Sequence, residues 1–387
     1  MAGPIPPESR YDRQERIPGW DQAALLAGKV LLVGAGATGN EVLKNLALLG
    51  VGRILVVDLD VIETTNLSRT VLFRPDDEGR PKAAVAAERV AVLNPDCQVR
   101  ALHGDVRQVV GPGAIALADV VIGCVDNAAA RLDVSEVCQY AGKPFLDCGI
   151  WAWDAALRVF AGDDGGPCFE CVATEADLAQ RDRRFSCTGL RRETISVGHA
   201  PTAVTPAALI GALTAQEAAR LLCGQPISTG CEYKFEGAGP SFYRTALLRR
   251  RACPRHGTRY HLERLDLDSA AVTAGEVQAA VRERWGPGAD VSLTRDLAIA
   301  LSCPRCGRSE SAARPVRGLS ETAQQCPQCG AARQVTQTHR LEDLDQEPDR
   351  TLADLGLPDL DLLGVTTETD SYDVALTGGP LGRWLTD

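Results

Sequence analysis

KVLLVGAGATG, residues 29–39, is the stretch that decides the fold. A short apolar run is followed by the glycines of a GxGxxG pattern at Gly34, Gly36 and Gly39, and apolar residues then recur at three- and four-residue steps through residues 42–49. A buried strand, a glycine turn and a helix in this order let the backbone approach a phosphate, with the helix N-terminal amides pointing at it. The stretch therefore predicts a nucleotide-binding strand–helix unit.

The same alternation continues along the chain. A second buried-strand run covers residues 53–57 and ends in Asp58, and further runs lie at residues 120–123 and 144–146 with helix-like segments between them. Strands that alternate with helices predict an α/β fold with a doubly wound, Rossmann-like and mostly parallel sheet. Asp58 follows the glycine pattern by about twenty residues, where a carboxylate accepts ribose hydroxyls.

Polar and cationic side chains follow the predicted strand ends, and they bear on the chemistry. They are Asn66, Arg69, Lys82, Asp126, Asn127 and Arg131. A glycine turn with Asp58 also fits a nicotinamide or flavin enzyme, but hydride transfer has no need for this group of cations. Nucleotidyl transfer does, because Arg69 and Lys82 can neutralise a triphosphate while Asp126 holds Mg²⁺. Taken singly, Asn66 fits a turn residue and Arg69 a solvated cation.

Two CxxC pairs, Cys303–Cys306 and Cys326–Cys329, are each followed by glycine and stand about twenty residues apart. Four thiolates at this spacing can close a tetrahedral Zn²⁺ site, and the glycines permit the tight turn around sulfur. The pattern predicts a structural zinc ribbon at residues 303–329.

Composition limits the partners and the location. The 387 residues are 45% hydrophobic and carry a formal net charge of −10, which argues against a general nucleic-acid binder. Since neither a signal pattern nor a long apolar run is present, the interpretation is a cytoplasmic protein without a membrane partner. We expect a nucleotide-binding domain over residues 1–260, with an exposed basic loop at about 172–200, and a C-terminal domain over 261–387.

Residues 10–260 resemble the ThiF/HesA and ubiquitin-activating superfamily. The resemblance lies in YDRQ at residues 11–14, the glycine pattern, Asp58, NLSR at residues 66–69, Lys82 and Asp126-Asn127, together with their spacing. It implies that Asp58 binds ribose, that Asn66, Arg69 and Lys82 contact the phosphates of ATP, and that Asp126 binds Mg²⁺. It also implies that Arg13 reaches across a two-fold interface into a partner's ATP site, and hence a homodimer. Thr70 departs from the family, which has glutamine there.

The activity implied by the resemblance is ATP-dependent adenylation of the C-terminal glycine of a small ubiquitin-like or sulfur-carrier protein. Downstream partners would be a conjugating enzyme or a sulfurtransferase. Three alternatives stay open: a sulfur-carrier adenylyltransferase without a catalytic cysteine, an NAD-dependent oxidoreductase, and a non-catalytic zinc scaffold. The last two leave the cations and Asp126 without a role.

A second zinc site follows from the same resemblance. Cys168 and Cys171 form a third CxxC, and the matching pair is Cys253 with His256 in place of a final cysteine. A Cys₃His site is ordinary zinc chemistry; the alternative is an empty site with free thiols. Six further cysteines lie mostly in apolar runs and are interpreted as small core residues: Cys97, Cys124, Cys138, Cys148, Cys223 and Cys231.

Cys187 is the candidate nucleophile. It lies in RRFSCTGLRR, residues 183–192, and guanidinium groups on both sides should lower the pKa of its thiol. The superfamily's ubiquitin-activating members use such a cysteine to accept the activated acyl group as a thioester. The alternative is an incidental cysteine in a basic loop.

The tail LTGG at residues 376–379 raises the possibility of a fused carrier, but eight residues follow it. We interpret it as a turn after a strand, in a domain that recruits the carrier or a downstream partner.

Overall fold

The computed structural model describes residues 9–163, 165–179, 201–316, 319–320, 322–344 and 349–387. The chain divides into two compact units. The first comprises residues 1–106, 118–175 and 199–257, and the second comprises residues 107–117, 176–198 and 258–387.

The first unit is built on an eight-stranded sheet with the order β3-β2-β1-β4-β5-β6-β7-β8. Its strands are β1 (Lys29–Val33), β2 (Arg53–Asp58), β3 (Gln98–His103), β4 (Val120–Gly123), β5 (Phe145–Trp151), β6 (Asp154–Phe160), β7 (Cys231–Glu236) and β8 (Ser241–Ala246). Strands β1 to β5 pair in parallel. The prediction of an α/β fold with a doubly wound parallel sheet is confirmed.

Strands β6, β7 and β8 extend this sheet in antiparallel fashion. They were not predicted from the sequence, because β7 is only partly buried and all residues of β8 are exposed. Without a continuous apolar run, such strands leave little periodic signal.

The helices of the first unit include two long ones that pack on each other, α3 and α9. The helices are α1 (Asp12–Glu15), α2 (Gln22–Ala27), α3 (Ala37–Leu49), α4 (Lys82–Leu93), α5 (Val106–Val109), α7 (Ala128–Ala141), α8 (Phe169–Val172) and α9 (Val204–Leu222). Of α5, only Val106 belongs to the first unit. Helix α3 ends at Gly50, whose φ of +83° is the left-handed conformation that suits glycine after a helix. The core is aliphatic, with Leu32, Val42 and Leu46 among its fully buried members.

The second unit contains a separate sheet with the order β11-β10-β13-β14-β9, and β12 also pairs with β10. Its elements are α6 (Pro112–Leu117), β9 (Leu262–Leu265), α10 (Ala274–Trp285), β10 (Asp290–Ser302), β11 (Ser309–Pro315), β12 (Gln334–Arg340), β13 (Leu362–Thr366), β14 (Ser371–Leu376) and α11 (Pro380–Thr386). Segment 107–117 belongs to this unit, where Gly113 N donates to Leu360 O at 2.9 Å. Gly378 and Gly379 connect β14 to α11, so the glycine pair is a turn after a strand.

None of the described helices has both the length and the apolar character that a membrane crossing would require.

Candidate active site

A cleft of about 200 Å³ opens at the carboxyl ends of β1, β2, β3 and β4 in the first unit. Ligands of open α/β sheets bind at this edge. Its lining includes most of the predicted nucleotide-site residues: Gly34, Gly36, Asp58, Asn66, Arg69, Lys82, Asp126 and Asn127. Gly39 and Arg13 are not among the lining residues. Cys187 lies outside the described part of the chain.

The three glycines of the loop after β1 serve different purposes. Gly34 has φ +97°, and a Cβ there would lie 2.5 Å from Cys124 O. A Cβ on Gly39 would lie 2.0 Å from Gly34 O, so close packing of helix against loop excludes any side chain. A Cβ on Gly36 would meet no atom within 4 Å. Gly36 lines the cleft, and the space beside it lets a phosphate approach the N-terminus of α3.

Asp58 ends β2 with its carboxylate turned towards the glycine loop. It is 9% exposed and accepts from the backbone amides of Ala35 at 2.6 Å and of Asp60 at 2.8 Å. Burial raises the pKa of the Asp58 carboxyl, and the Asp60 amide and the nearby Lys82 ammonium act in the opposite direction. The geometry holds an acceptor at the position where the ribose of a nucleotide would lie.

Asn40, on the first turns of α3, is a positioning residue that the sequence analysis missed. It is fully buried; its Nδ2 donates to Ala35 O at 2.7 Å and its Oδ1 accepts from Leu72 N at 2.9 Å. The amide therefore ties the glycine loop to the segment that carries Asn66 and Arg69. A polar residue inside an otherwise apolar helix face was the available signal.

Lys82 is the first residue of α4 and lines the cleft. Its Nζ lies 2.8 Å from Asp60 Oδ2. The guanidinium of Arg69 donates to Thr65 O at 2.5 Å and leaves further N–H groups for a ligand. Asn66 is 7% exposed, and its Oδ1 accepts from Glu63 N at 3.0 Å. The side-chain oxygen of Asn66 thus stabilises the short helical turn Thr64–Asn66. This structural role is additional to the phosphate contact predicted for Asn66.

Asp126 and Asn127 follow β4. The Asn127 Oδ1 accepts from Ala130 N at 2.8 Å and caps α7. Asp126 is exposed to the cleft, and it makes no hydrogen bond or ion pair with any residue that the structure describes. A free carboxylate beside a phosphate-sized space fits the chemistry of Mg²⁺, whose ligands are oxygens.

Other cleft residues come from strand ends that the sequence analysis did not use. Gly104 and Asp105 follow β3, Cys148 and Gly149 belong to β5, and Thr202 precedes α9. Thr70 lines the cleft and donates its hydroxyl to Asn66 O at 2.9 Å, so it closes the turn instead of reaching towards a ligand. Since parallel strands end at one edge, the position of β3 was the signal for Gly104 and Asp105.

The predicted Cys₃His group converges in the first unit. The ligand atoms of Cys168, Cys171, Cys253 and His256 lie within 4.8 Å of one another. Cys168 Sγ is 3.8 Å from Cys171 Sγ and 3.7 Å from Cys253 Sγ, and tetrahedral Zn²⁺ with Zn–S bonds of about 2.3 Å requires sulfurs about 3.8 Å apart. The hydrogen bond with Cys168 lowers the pKa of the Cys171 thiol to about 4. The donor set fits zinc.

The second cysteine group lies in the second unit, between β10 and β11 and before β12. The sulfurs of Cys303, Cys306, Cys326 and Cys329 lie within 4.8 Å of one another. Backbone amides, that of Cys306 first, lower the pKa of the Cys303 thiol to about 6. This donor set also fits zinc.

The glycines that end the two knuckles take the predicted tight turns. Gly307 and Gly330 have φ +72° and +68°. Of the six remaining cysteines, Cys124 and Cys223 are half-buried and the other four are buried. Cys124 packs against the core of the first unit and also lines the cleft.

The comparisons with known proteins agree with this geometry. The ThiF family profile matches residues 11–254. The chain belongs to the ThiF family. The predicted superfamily is confirmed, and so is the prediction of an enzyme of this class, since the relatives are named adenylyltransferases and activating enzymes.

Two ThiF relatives are similar in sequence. The sulfur carrier protein ThiS adenylyltransferase of Escherichia coli is 30% identical over 248 residues, which cover 63% of this chain and 93% of that protein. The SAMP-activating enzyme E1 of Haloferax volcanii is 36% identical over 168 residues, which cover 43% of this chain and 62% of that protein. The chain thus spans under two thirds of the haloarchaeal enzyme.

Among solved structures, E. coli MccB with AMPCPP and MccA aligns with a TM-score of 0.52 and 21% identity. The alignment covers 66% of this chain and 77% of that one. This similarity shows the fold.

Proposed function

We propose that this ThiF-family chain is an ATP-dependent adenylyltransferase that activates the C-terminal glycine of a small ubiquitin-like or sulfur-carrier protein. The observation that carries the proposal is the convergence of Asp58, Arg69, Lys82 and Asp126 on one cleft beside the open backbone of Gly36. Relatives named for activating SAMP and ThiS support the substrate class.

The chemistry follows from the positions of these side chains. A carboxylate oxygen of the carrier attacks the α-phosphorus of ATP, and the bond from that phosphorus to the bridging oxygen breaks as pyrophosphate leaves. Asp58 fixes the ribose, and Arg69 and Lys82 offset charge on the phosphates. Mg²⁺, held by Asp126, would supply further neutralisation of the phosphate oxygens. Most of the acceleration comes from positioning and electrostatics.

A homodimer is part of the proposal. Arg13 lies exposed on α1, its side chain makes no hydrogen bond or ion pair with any described residue, and it is absent from the lining of its own cleft. An arginine placed in this way is available to the site of a second chain, as the superfamily resemblance implies. A two-fold arrangement would give both sites the same contact.

Two versions of the proposed function differ in where the adenylate goes after it forms. In the first, Cys187 accepts the acyl group as a thioester and hands it to a conjugating enzyme. In the second, the adenylate passes to a sulfurtransferase without a catalytic cysteine. The cations and Asp126 have no role in an oxidoreductase or a zinc scaffold, which disfavours both.

Zinc has a structural role in this proposal. Both cysteine groups supply four protein ligands and leave no position for a substrate. The site at Cys168 would stabilise the end of the first unit, and the site at Cys303 would stabilise the second unit.

The protein is expected to act in the cytoplasm.

The test is ATP–pyrophosphate exchange with candidate carriers that end in glycine. Asp126→Ala should abolish exchange, and Arg69→Ala or Lys82→Ala should lower it by about 10²- to 10³-fold, since single catalytic charges commonly contribute a few kcal/mol. Arg100→Ala, a half-exposed arginine on β3 outside the cleft lining, is the matched control and should retain activity. Exchange that survives Asp126→Ala would remove the proposed metal role.

A further inference from the structure

The Asp126 side chain is not held in place by polar contacts of its own in the described part of the chain. Its carboxylate makes no hydrogen bond or ion pair among the described residues, so its position depends on the residues on either side of it. Asn127 is fixed as the cap of α7 through Ala130 N. On the other side, the carbonyl of Val125 accepts hydrogen bonds from a side chain.

That carbonyl is held by Arg131. Arg131 Nε donates to Val125 O at 3.0 Å, and one terminal nitrogen, Nη2, donates to the same oxygen at 2.6 Å. The same nitrogen donates to Cys148 O on β5 at 2.9 Å. One guanidinium therefore fastens the turn before Asp126 to the neighbouring strand, and the planar fork of arginine is suited to this.

Arg131 forms an ion pair with Asp147. Asp147 lies on β5, is 1% exposed, and places Oδ1 3.4 Å from Arg131 Nε. A second arginine, Arg158 of β6, lies 3.3 Å from the other carboxylate oxygen. Burial raises the pKa of the Asp147 carboxyl, and the two guanidinium groups oppose this effect.

Gly149 lies beside the Arg131 guanidinium, at a distance that a side-chain Cβ would also tolerate. A Cβ there would lie 3.6 Å and 3.7 Å from the two terminal nitrogens of Arg131. In the described part of the chain, the hydrogen-bond and ion-pair partners of this guanidinium are the carbonyls of Val125 and Cys148 and the carboxylate of Asp147. Three hydrogen bonds of this guanidinium are therefore made to backbone carbonyls.

We propose that Arg131 and Asp147 are positioning residues, which fix the Val125–Asn127 turn so that the Asp126 carboxylate is preorganised for Mg²⁺. This inference rests on the proposed function. Arg131 also lines the cleft. Because it already donates to Val125 O and Cys148 O, the proposal is that it acts through the turn and does not bind phosphate. Loss of a residue that orients a metal ligand commonly costs 10- to 100-fold in metal affinity.

The test measures the dissociation constant of ATP by calorimetry, once with excess Mg²⁺ and once with EDTA. The ratio of the two values reports the contribution of the metal, and Asp126→Ala defines the ratio without its ligand. Arg131→Lys keeps the charge but lacks the planar guanidinium that donates from two nitrogens, and Asp147→Asn keeps the volume but loses the charge. Both should move the ratio about 10-fold towards that of Asp126→Ala while the value in EDTA changes less than about twofold.

A double-mutant cycle separates positioning from a direct role. In the Asp126→Ala background, Arg131→Lys should have no further effect on the ratio. Arg158→Gln, which removes the other partner of Asp147 without touching the turn, is the control and should leave the ratio at its wild-type value. Melting temperatures of all variants check that they fold.

Three outcomes overturn the inference. If Arg131→Lys weakens ATP equally in EDTA and Mg²⁺, Arg131 is a phosphate ligand. If its effect is the same with Asp126 present or absent, it does not act through Asp126. If Asp126→Ala itself leaves the ratio unchanged, Asp126 does not hold Mg²⁺. The proposed metal role is then wrong, and so is this inference, which depends on it.

Discussion

The Nζ of Lys82 lies 2.8 Å from Oδ2 of Asp60, and the two side chains are unequally exposed, at 11% for the lysine and 54% for the aspartate. The backbone reinforces the pair, because Lys82 N donates to Asp60 O at 3.0 Å. A triphosphate that approaches Lys82 therefore meets an aspartate that already holds the ammonium. The proposed phosphate contact requires the nucleotide to share or displace this carboxylate.

We predict that Asp60→Asn lowers the KM for ATP by about two- to fivefold, because exposed ion pairs of this kind contribute up to about 1 kcal/mol. The asparagine keeps the size of the side chain and removes the competing charge. Initial rates of pyrophosphate exchange against ATP concentration give the measurement. Asp76→Asn, an exposed aspartate outside the cleft, should leave KM unchanged. A rise in KM would show that Asp60 assists binding.

We predict that Arg13 acts across a two-fold interface. Arg13→Ala and Asp126→Ala chains should each be inactive alone. After mixing in equal amounts and re-equilibration, each heterodimer should contain one site with Asp126 and the partner's arginine both intact, so about a quarter of wild-type exchange should return. Recovery is measured against the unmixed samples.

The matched control for this mixing experiment is Arg16→Ala, since Arg16 is an exposed arginine that pairs with Asp12 on the same helix. It should be active without mixing. Sedimentation should show a dimer in every sample. An active monomer, or no recovery from chains shown to exchange, would contradict a role for Arg13 in trans.

The location of the cleft could be predicted from the sequence because parallel strands end at one edge. Asp58 ends a strand, and Gly34 and Asp126 each follow one, so the topology alone brings them together. Strand β3 lacked a continuous apolar run, with intermediate burial along most of its length, and Asp105 after it was missed.

The tie through Arg131 could not be predicted in this way. Its contact with Cys148 O joins two strands through a side chain, and hydrophobic periodicity carries no information on such a bond. The same limit applies to Asn40, whose partner Leu72 lies far along the chain. By contrast, the cysteine groups were visible, because CxxC spacing alone places two sulfurs on one turn.

We predict two Zn²⁺ per chain by elemental analysis of the purified protein. Cys168→Ser and Cys303→Ser should each lose one, because each removes one of four ligands from a different group. Cys303→Ser should unfold the second unit while ATP binding persists, since structural zinc stabilises its own surroundings. Limited proteolysis would report that local unfolding.

Cys223→Ser, a half-buried cysteine outside both groups, should keep both ions and controls for the substitution itself. One zinc in the wild-type protein, lost in Cys303→Ser and kept in Cys168→Ser, would show that the Cys₃His group does not hold metal. Loss of both ions from either variant would mean that the two sites do not bind zinc independently.

The last prediction concerns Cys187, which stays a prediction from the sequence because it lies outside the described residues. If Cys187 accepts the acyl group, ATP and carrier should give a covalent adduct that a reducing agent cleaves. Cys187→Ala should lose the adduct and keep pyrophosphate exchange, because adenylation precedes transfer and needs no thiol. Gel mobility with and without reductant, beside exchange assays, separates the two steps.

Further variants identify the acceptor position directly. Cys187→Ser should form an oxyester that survives the reductant, and mass spectrometry of its peptides would locate the bond. Arginines on both sides should hold the thiol pKa below the usual value of about 8.5, so alkylation should remain rapid at lower pH than for an ordinary cysteine. Cys223→Ala is the control and should form the wild-type adduct. If Cys187→Ala also forms a reductant-sensitive adduct, the thioester version of the function is wrong, and the adenylate passes to another protein.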